Sequence, residues 1–511
     1  MTHNDPDPIE MPDDTGSLHP GVEMFTEVVR CDVAVVGAGQ TGINALFVAS
    51  QYLSRDQKLV VIDSRKRGGG MWLDTYPYVR LHQPHQLFTA GNIKWTIDRD
   101  RSYLATGNEV LDHLEHCLDV ISQQVRLEKF FGWTFDTHEE NDGVVRVRCS
   151  SEDGRHLVIE TKRLIKAYGN RIVPNEALTV SSKRIRSVSP NFCDMHGAEM
   201  RESDAPVWVV GGGKTGMDTA DMLITDYPER EVNLVAGSGT WFLSRERCYP
   251  AGTRRWWAGT SITDIIREVA LRFDGTNETD VDTWMRTRYG TWLTPHASNF
   301  RFAVLSESEN DRIAAGLNQV VMDYVVDAVD RNGATELVFR SGATKPIAPG
   351  SWIVNCTGYM LSDRHPYEPY LSPGGAVLSI HTRSATFTIQ SYMAYFMTHL
   401  LFLDKVGDIP LYELDMVDLA KKSTAAFHPT AISLSHYNAN LIADSIPTRV
   451  LLDFGLDQGR WYPFPRRAAN IAWYAFGRHR VHRDHHRRTL DTVRDRFDVR
   501  CGPLETRSAV G

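Results

Sequence analysis

The sequence predicts an α/β fold in which two units of parallel strand, glycine turn and helix recur, one nested in the other. Three observations lead there. The stretch VAVVGAGQTG, residues 33 to 42, runs four small apolar residues into a glycine-rich turn. The stretch VWVVGGGKTG, residues 207 to 216, repeats the pattern, with Gly211 standing where Gly37 stood. A third run, WIVNCTGYM at 352 to 360, again reads as strand and then glycine turn.

Each element has a physical reason. Val33, Val35 and Val36 read as a strand buried on both faces. Gly37 permits a tight turn, Gly39 lets backbone approach a pyrophosphate, and Gly42 lets the following helix lie close to the strand. The helix begins with unpaired N–H groups and a partial positive charge, which suits a diphosphate. The run KLVVID ends in Asp63, whose carboxylate is placed to accept hydrogen bonds from a ribose diol. Residues 105 to 122 put Val110, Leu111, Leu114, Cys117, Leu118 and Ile121 on one helical face. Two β runs flank the turn SEDGRH within 143 to 168, and the strand RLIKAYG then leads to Pro174. SYMAYFMTHLLFL, 391 to 403, reads as a buried helix; it is too short, and too polar at Thr398 and His399, to span a bilayer.

Composition narrows the function. The chain has 511 residues, 42% hydrophobic and 23% charged, with a formal net charge of −8, which speaks against a nucleic-acid surface. Its seven cysteines are irregularly spaced and form no CxxC, so neither a disulfide framework nor a metal site is expected. No basic segment followed by an apolar one opens the chain, and a cytoplasmic protein without a membrane span is expected. The expected organisation is an acidic disordered tail (1–25), a first dinucleotide domain (26–178), a second with an aromatic-rich insertion (179–345), a return to the first (346–440) and a helical, basic extension (441–511).

Two such turns call for two dinucleotides, one resident and one diffusing, and FAD with NADPH or NADH is the pair that passes hydride between them. Gly37, Gly39, Gly42 and Asp63 are the candidate FAD contacts; Gly211, Gly213 and Gly216 are those for the nicotinamide.

At this point the sequence resembles the flavin-containing monooxygenases, within the wider group of two-dinucleotide flavoproteins. VVGAGQTG with Asp63 is similar to the family's FAD turn and ribose acid, where Glu is more usual. RGGGMW is similar to its Gly-Gly-x-Trp, implying roles for Gly69, Gly70 and Trp72. KAYGNRIVPN is similar to the strand-to-glycine crossing that follows the first domain's meander. GGGKTGMD is similar to the NADP turn, with Thr215 where Ser is usual and Lys214 beside it, and it continues into VNLVAGSGTWFLSR. NCTGYM resembles the segment where the chain returns to the FAD domain. Two departures stand out. The family fingerprint between the two units is missing from SSKRIRSVSPNFCDMHGAEM, as is its Baeyer–Villiger form. Ala236 and Gly237 stand where many members carry Thr-Arg, so an Arg fork for a 2′-phosphate is lost, and Lys214, Ser238 and Arg245 are the candidates to compensate.

The resemblance implies a monooxygenase that forms a peroxyflavin and uses dioxygen on a small molecule, at nitrogen or sulfur. Baeyer–Villiger insertion into a ketone and a flavin oxidoreductase that never traps oxygen are the alternatives. It also places YPYVRLHQPHQLFTA, 76 to 90, beside the flavin ring, with His82 at the position of a catalytic Asn and Gln83 next to it; a loop whose polar side chains only bond backbone stands level with that reading. The tail GRHRVHRDHHRR spaces His479, His482 and His486 as metal ligands could be, but its five Arg repel a cation, so a solvated basic helix is expected, with contact to an acidic partner or subunit as the alternative. Trp256, Trp257, Trp284, Tyr289 and Trp292 are expected in hydrophobic core, with a substrate pocket or a homodimer contact as alternatives.

Overall fold

The computed structural model describes residues 26–504 apart from 170–172, 174, 193–197, 359–360 and 362–364. The acidic tail 1–25, Pro174, Cys193, Tyr359 and Met360 therefore lie outside the described residues.

The two glycine units fold with the same strand order. In one sheet Arg126–Phe131, Lys58–Asp63, Thr26–Val36 and His156–Lys166 lie side by side, all parallel, and Val377–Ser379 adds a parallel strand beyond the last. In another, Gln319–Val321, Val232–Val235, Val207–Val210 and Trp352–Asn355 repeat that order, with Arg186–Val188 at the outer edge. Counted from the strand before each glycine turn, both read 3-2-1-4, the Rossmann arrangement. The chain leaves the first sheet at Lys166 and re-enters it at Val377, so the second unit is inserted in the first. The return therefore begins later than residue 346: Trp352–Asn355 pairs with Val207–Val210 inside the second sheet. The SEDGRH turn joins Val144–Ser151 to His156–Lys166, and Trp133–Asn141 completes an antiparallel meander.

Helices cover the first sheet as their apolar patterns require. Gln40–Ser50 is buried from Gly42 to Ser50, and Gln390–Phe402, buried over nearly its whole length, packs against it. Gly107–Gln124 starts at a capping box: the Thr106 hydroxyl accepts from Glu109 N–H, and the Glu109 carboxylate accepts from Thr106 N–H. Five of its six expected apolar residues are buried, but Leu111 is half-buried. His113 is buried in the same helix, its Nε2 2.9 Å from Thr89 Oγ1 and its ring stacked on Trp95 at 4.1 Å.

One core was not foreseen. The insertion after the second turn (Trp241, Ile265, Phe273, Tyr289, Phe300) and the C-terminal region (Phe427, Trp461, Leu490, Val493) share a single hydrophobic cluster. The basic tail is accordingly docked rather than solvated. His479 lies 2.9 Å from Asp444, on which Arg480 and Arg483 also converge, while His486 is buried with its ring 5.0 Å from that of His436. Among the described residues no group of three His, Cys, Asp or Glu is placed to hold a metal ion. The aromatic insertion divides: Tyr289 is buried, but Trp256, Trp257 and Trp292 are exposed. None of the six described cysteines forms a disulfide, and among the described residues no helix is long and apolar enough to cross a membrane.

The turns make a sharp demand on side-chain size. A Cβ at Gly42 would lie 1.8 Å from Gly37 O, and one at Gly216 would lie 1.9 Å from Gly211 O, whereas one at Gly213 meets nothing within 4 Å. Gly42→Ala is expected to destabilise the chain by about 2–3 kcal/mol through forced separation of helix and strand. Gly213→Ala should change stability by about 1 kcal/mol or less, the cost of exchanging a helix N-cap residue. Thermal unfolding of the two variants measures the contrast, and equal losses would contradict it.

Candidate functional site

The first turn opens onto a cavity of about 790 Å³ lined from both ends of the fold. Gly37 has φ +102°, and a Cβ there would lie 2.3 Å from Ala167 O. Gly39 begins the helix Gln40–Ser50 with no side-chain cap, so its first N–H groups face the cavity that Gln40 and Thr41 line. Opposite stand Gly69 (φ +135°) and Gly70 (φ +59°); a Cβ on Gly70 would lie 2.7 Å from the Cα of Gly39. Gly69 N–H donates to Ala38 O at 2.9 Å, locking the glycine pair against the turn. Trp72 lines the same wall, edge-on to Phe88 at 5.4 Å.

Asp63 closes the nucleotide end. Its Oδ2 accepts from Ala38 N–H at 2.7 Å and its Oδ1 from Arg65 N–H at 2.8 Å. A carboxylate has about four lone-pair sites, so capacity for a diol remains. The carboxylate also holds the shape of the turn, a part the motif alone did not reveal.

The opposite wall carries groups the sequence reading missed. The helix Gln390–Phe402 also starts without a side-chain cap, and Thr388, Ile389, Gln390 and Ser391 line the cavity. Gln390 is 6% exposed, and neither amide atom has a hydrogen-bond partner. The only signal was an apolar helix beginning at TIQS without the usual Ser, Thr or Asp cap. Lys166, 2% exposed, is ion-paired to Glu368; burial pulls the ammonium down, while Lys166 holds Glu368 below the carboxylate range against its own burial. His365 stacks on Tyr168 at 4.6 Å beside them. At the far end Phe302, Leu361, Met416 and Phe427 make an apolar wall. Phe302 has φ +52°, a left-handed conformation that is strained for an aromatic residue.

The second turn is built alike but occupied differently. Gly211 has φ +122°, and a Cβ there would meet Cys356 O at 2.5 Å. Gly213 starts the helix Lys214–Asp226 without a side-chain cap. Lys214 is ion-paired to Asp218, which also accepts from Tyr76 OH at 2.7 Å. Thr215 gives its carbonyl to the Thr219 hydroxyl, which lies 2.8 Å from Tyr78 OH. Arg245 pairs with Glu309 at 2.7 Å and donates to His82 O at 3.1 Å. Ser238 Oγ lies 2.9 Å from Tyr324 OH and 2.5 Å from Asn299 Nδ2. Gly237, at φ +60°, lies beneath the Tyr324 ring, on whose face Arg340 packs 4.1 Å from the centroid. Lys214 and Arg245, read as phosphate contacts, thus have their charges balanced within the fold.

His82 and Gln83 do not line the cavity. The segment that holds them crosses from the first unit to the second: His82 Nδ1 accepts from Val304 N–H at 3.3 Å, and Gln83 Oε1 is buried without a partner. The resemblance implies that both face a flavin ring; the structure instead places His82 at the junction, against Arg245 and Val304. Burial, then Lys214 and Arg245, push the His82 imidazole down to about 3. Burial raises Glu309, but Arg245 and Lys214 outweigh it and bring the carboxyl to about 2.

Comparison with known proteins follows this geometry. No family model matches the chain. An uncharacterized protein of Mycobacterium tuberculosis and one of Mycobacterium bovis are each 25% identical over 358 residues, 67% of this chain. The chain spans about 62% of the length of these curated relatives. Among solved structures, a flavin-containing monooxygenase from Stenotrophomonas maltophilia is 14% identical with TM-score 0.44, covering 74% of this chain and 99% of its own. A cyclohexanone monooxygenase is 13% identical with TM-score 0.48, covering 82% and 98%. An ornithine N-hydroxylase from Kutzneria sp. 744 is 14% identical with TM-score 0.46, covering 74% and 98%. At these scores the fold assignment rests on the repeated strand order itself.

The junction gives a signed pH dependence. The His82 pKa is depressed from 6.5 to about 3, so the folded state refuses a proton that the unfolded chain accepts. Its contribution to stability is complete above pH 6.5 and is lost as pH falls towards 3. His82→Gln should therefore make the fall in stability below pH 6.5 shallower by about 1.4 kcal/mol per pH unit. Denaturant unfolding at a series of pH values reads this, and identical slopes for parent and variant would contradict it.

Proposed function

We propose that the chain is an FAD-dependent monooxygenase that takes hydride from NADPH or NADH and oxygenates a small molecule at nitrogen or sulfur. The observation that carries this reading is the pairing of two glycine turns of one topology with a single cavity that runs from the first turn to an apolar wall. The residues present fit FAD. Two uncapped helix N-termini converge on the cavity and suit its diphosphate. Asp63 would hold the ribose, Gly69 and Gly70 leave room where side chains would intrude, and Gln390 offers an unpartnered donor and acceptor to a ring edge. The open space at Gly213 suits the nicotinamide dinucleotide on the second turn.

When bound, reduced FAD supplies the electrons that activate dioxygen, and the nicotinamide supplies the hydride. The chain's own part is to bind, orient and exclude water. Phe302, Leu361, Met416 and Phe427 keep the far end of the cavity apolar, which favours transfer of oxygen to a soft nucleophile over loss to water. No acid–base dyad is required for such a transfer, in keeping with a wall whose charged pair, Lys166 and Glu368, is satisfied within the fold.

Turnover of a panel of amines and sulfides under isotopically labelled dioxygen tests the reading: one oxygen of the product should carry the label. Label in a lactone or ester formed from a ketone would move the assignment to Baeyer–Villiger insertion. Consumption of NAD(P)H without oxygenated product, on every substrate, would leave a plain oxidoreductase.

NADH should serve measurably beside NADPH. Gly237 offers no charge, and Lys214 and Arg245 are committed to Asp218 and Glu309. Loss of one charge-assisted contact to a 2′-phosphate costs roughly 1.5–3 kcal/mol, about ten- to a hundredfold in selectivity. The ratio of kcat/KM for the two nicotinamides decides this. A preference for NADPH above roughly a thousandfold, beyond what one lost contact allows, would contradict it and point to Arg340 or another cation at the second turn.

A further inference from the structure

The helix Phe464–Ala475 faces the wrong way for a helix of a water-soluble surface. Positions 464, 468, 472 and 476 follow at four-residue spacing on one side, as Phe, Ala, Ala and Phe. Phe464 is 67% exposed, Phe476 81% and Ile471 42%. The inward side is mixed: Trp473, under the Arg267 guanidinium, and Tyr474, 5.1 Å from the His479 ring, lie there with polar residues. Arg466 donates to the carbonyls of Arg255, Ala258 and Gly259, at 3.0, 2.5 and 2.7 Å. Asn470 accepts from Arg267 at 3.0 Å. A surface helix normally buries its apolar side chains, so one that leaves Phe464, Ile471 and Phe476 in solvent marks a face that something else covers.

The face does not end with the helix. Arg466 ties it to the segment carrying Trp256 and Trp257, which are 50% and 70% exposed. Beyond its C-terminus Val481 is 68% exposed. The charge of the region runs against that of the chain. Residues 444 to 488 hold nine Arg, four Asp and no Lys or Glu, in a protein of net charge −8, and remain cationic after Asp444 has paired Arg480 and Arg483, Asp457 Arg467 and Asp484 Arg487. Arg254 and Arg478 are exposed, each two residues along the chain from an exposed aromatic residue, Trp256 and Phe476.

We propose that this face docks on an anionic lipid surface, with Phe464, Ile471, Phe476, Trp256 and Trp257 entering the headgroup boundary and the arginines meeting the phosphates. Exposed Trp and Phe with an Arg-rich margin on a helix lying in the plane of the surface is the pattern of interfacial binding. Charge complementarity selects the occupant: an acidic protein that concentrates cations around its apolar face is attracted to anionic headgroups. A second copy of this chain fits less well, because a two-fold contact would set this arginine margin against itself. The proposal is independent of the chemistry proposed above, and it brings the enzyme to a place where apolar substrates concentrate.

Co-sedimentation of the full chain with vesicles tests it. The chain should sediment with vesicles of phosphatidylglycerol and phosphatidylcholine, weakly or not at all with phosphatidylcholine alone, and less as salt rises. Phe464→Ser with Phe476→Ser, and separately Trp256→Ser with Trp257→Ser, should each weaken binding to the anionic vesicles by about tenfold or more, since each removes two aromatic side chains from the interface. These side chains are largely solvent-facing, and an unchanged circular dichroism spectrum shows the variants folded. Absence of binding to anionic vesicles, or binding untouched in both variants, would overturn the proposal. So would a dimer, seen by light scattering, that the same substitutions dissociate, since the face would then belong to a second copy.

Discussion

At both turns a glycine carbonyl sits where the next helix must pass, and no side chain fits between them. Gly42 lies against Gly37 O and Gly216 against Gly211 O, each closer than any Cβ could be. This contact aims the uncapped start of each helix along the end of its strand. At the first turn Asp63 fixes the same point from below through Ala38 N–H, and the Gly69–Gly70 pair fixes it from the side. That one close approach of backbone to backbone sets the uncapped helix start at the end of the cavity. Because the strand order repeats, the second unit inherits the geometry with different neighbours.

Those neighbours explain how the two units stay in register. The segment 76–83 leaves the first unit and is held by the second through Tyr76 on Asp218, Tyr78 beside Thr219, and His82 between Val304 and Arg245. Lys214, Asp218, Arg245 and Glu309 form two ion pairs largely withdrawn from water. Such pairs return little net stability after desolvation, but breaking one strands a charge. The pairs leave their mark at the junction: against its burial, Arg245 and Lys214 hold Glu309 low, and with burial as the larger cause they also push His82 down.

The glycine units were legible because their chemistry is local: a buried strand, three glycines and an acid fall within one short stretch. The helix at 391–403 was legible because its apolar character has no polar face to hide. What could not be read depended on contacts between distant segments. His82 follows the Gly-Gly-x-Trp run directly, yet the chain bends away, and its nearest partners are Val304 and Arg245, more than 160 residues on. Gln390 carried no motif, since its meaning comes from the cavity at the start of its helix. The histidines of the tail looked solvated because nothing in their own stretch shows that Asp444 and His436 lie beneath them. Trp256 and Trp257 followed the usual rule for aromatic residues and were expected inside; nothing in their own stretch shows that they stand exposed beside Phe464 to Phe476, to which Arg466 ties them.

The central claim is that the first glycine turn seats a resident FAD. Its most direct test is the flavin content of the purified chain beside that of Gly39→Val. A Cβ at Gly39 would lie 3.3 Å from Gly70 Cα, so the branches of valine must spread into the space where the pyrophosphate would pass. The account predicts about one FAD for the parent's single first-type turn and a variant that folds but emerges nearly colourless. A variant that keeps full flavin, or a parent that binds none when FAD is supplied, would contradict it.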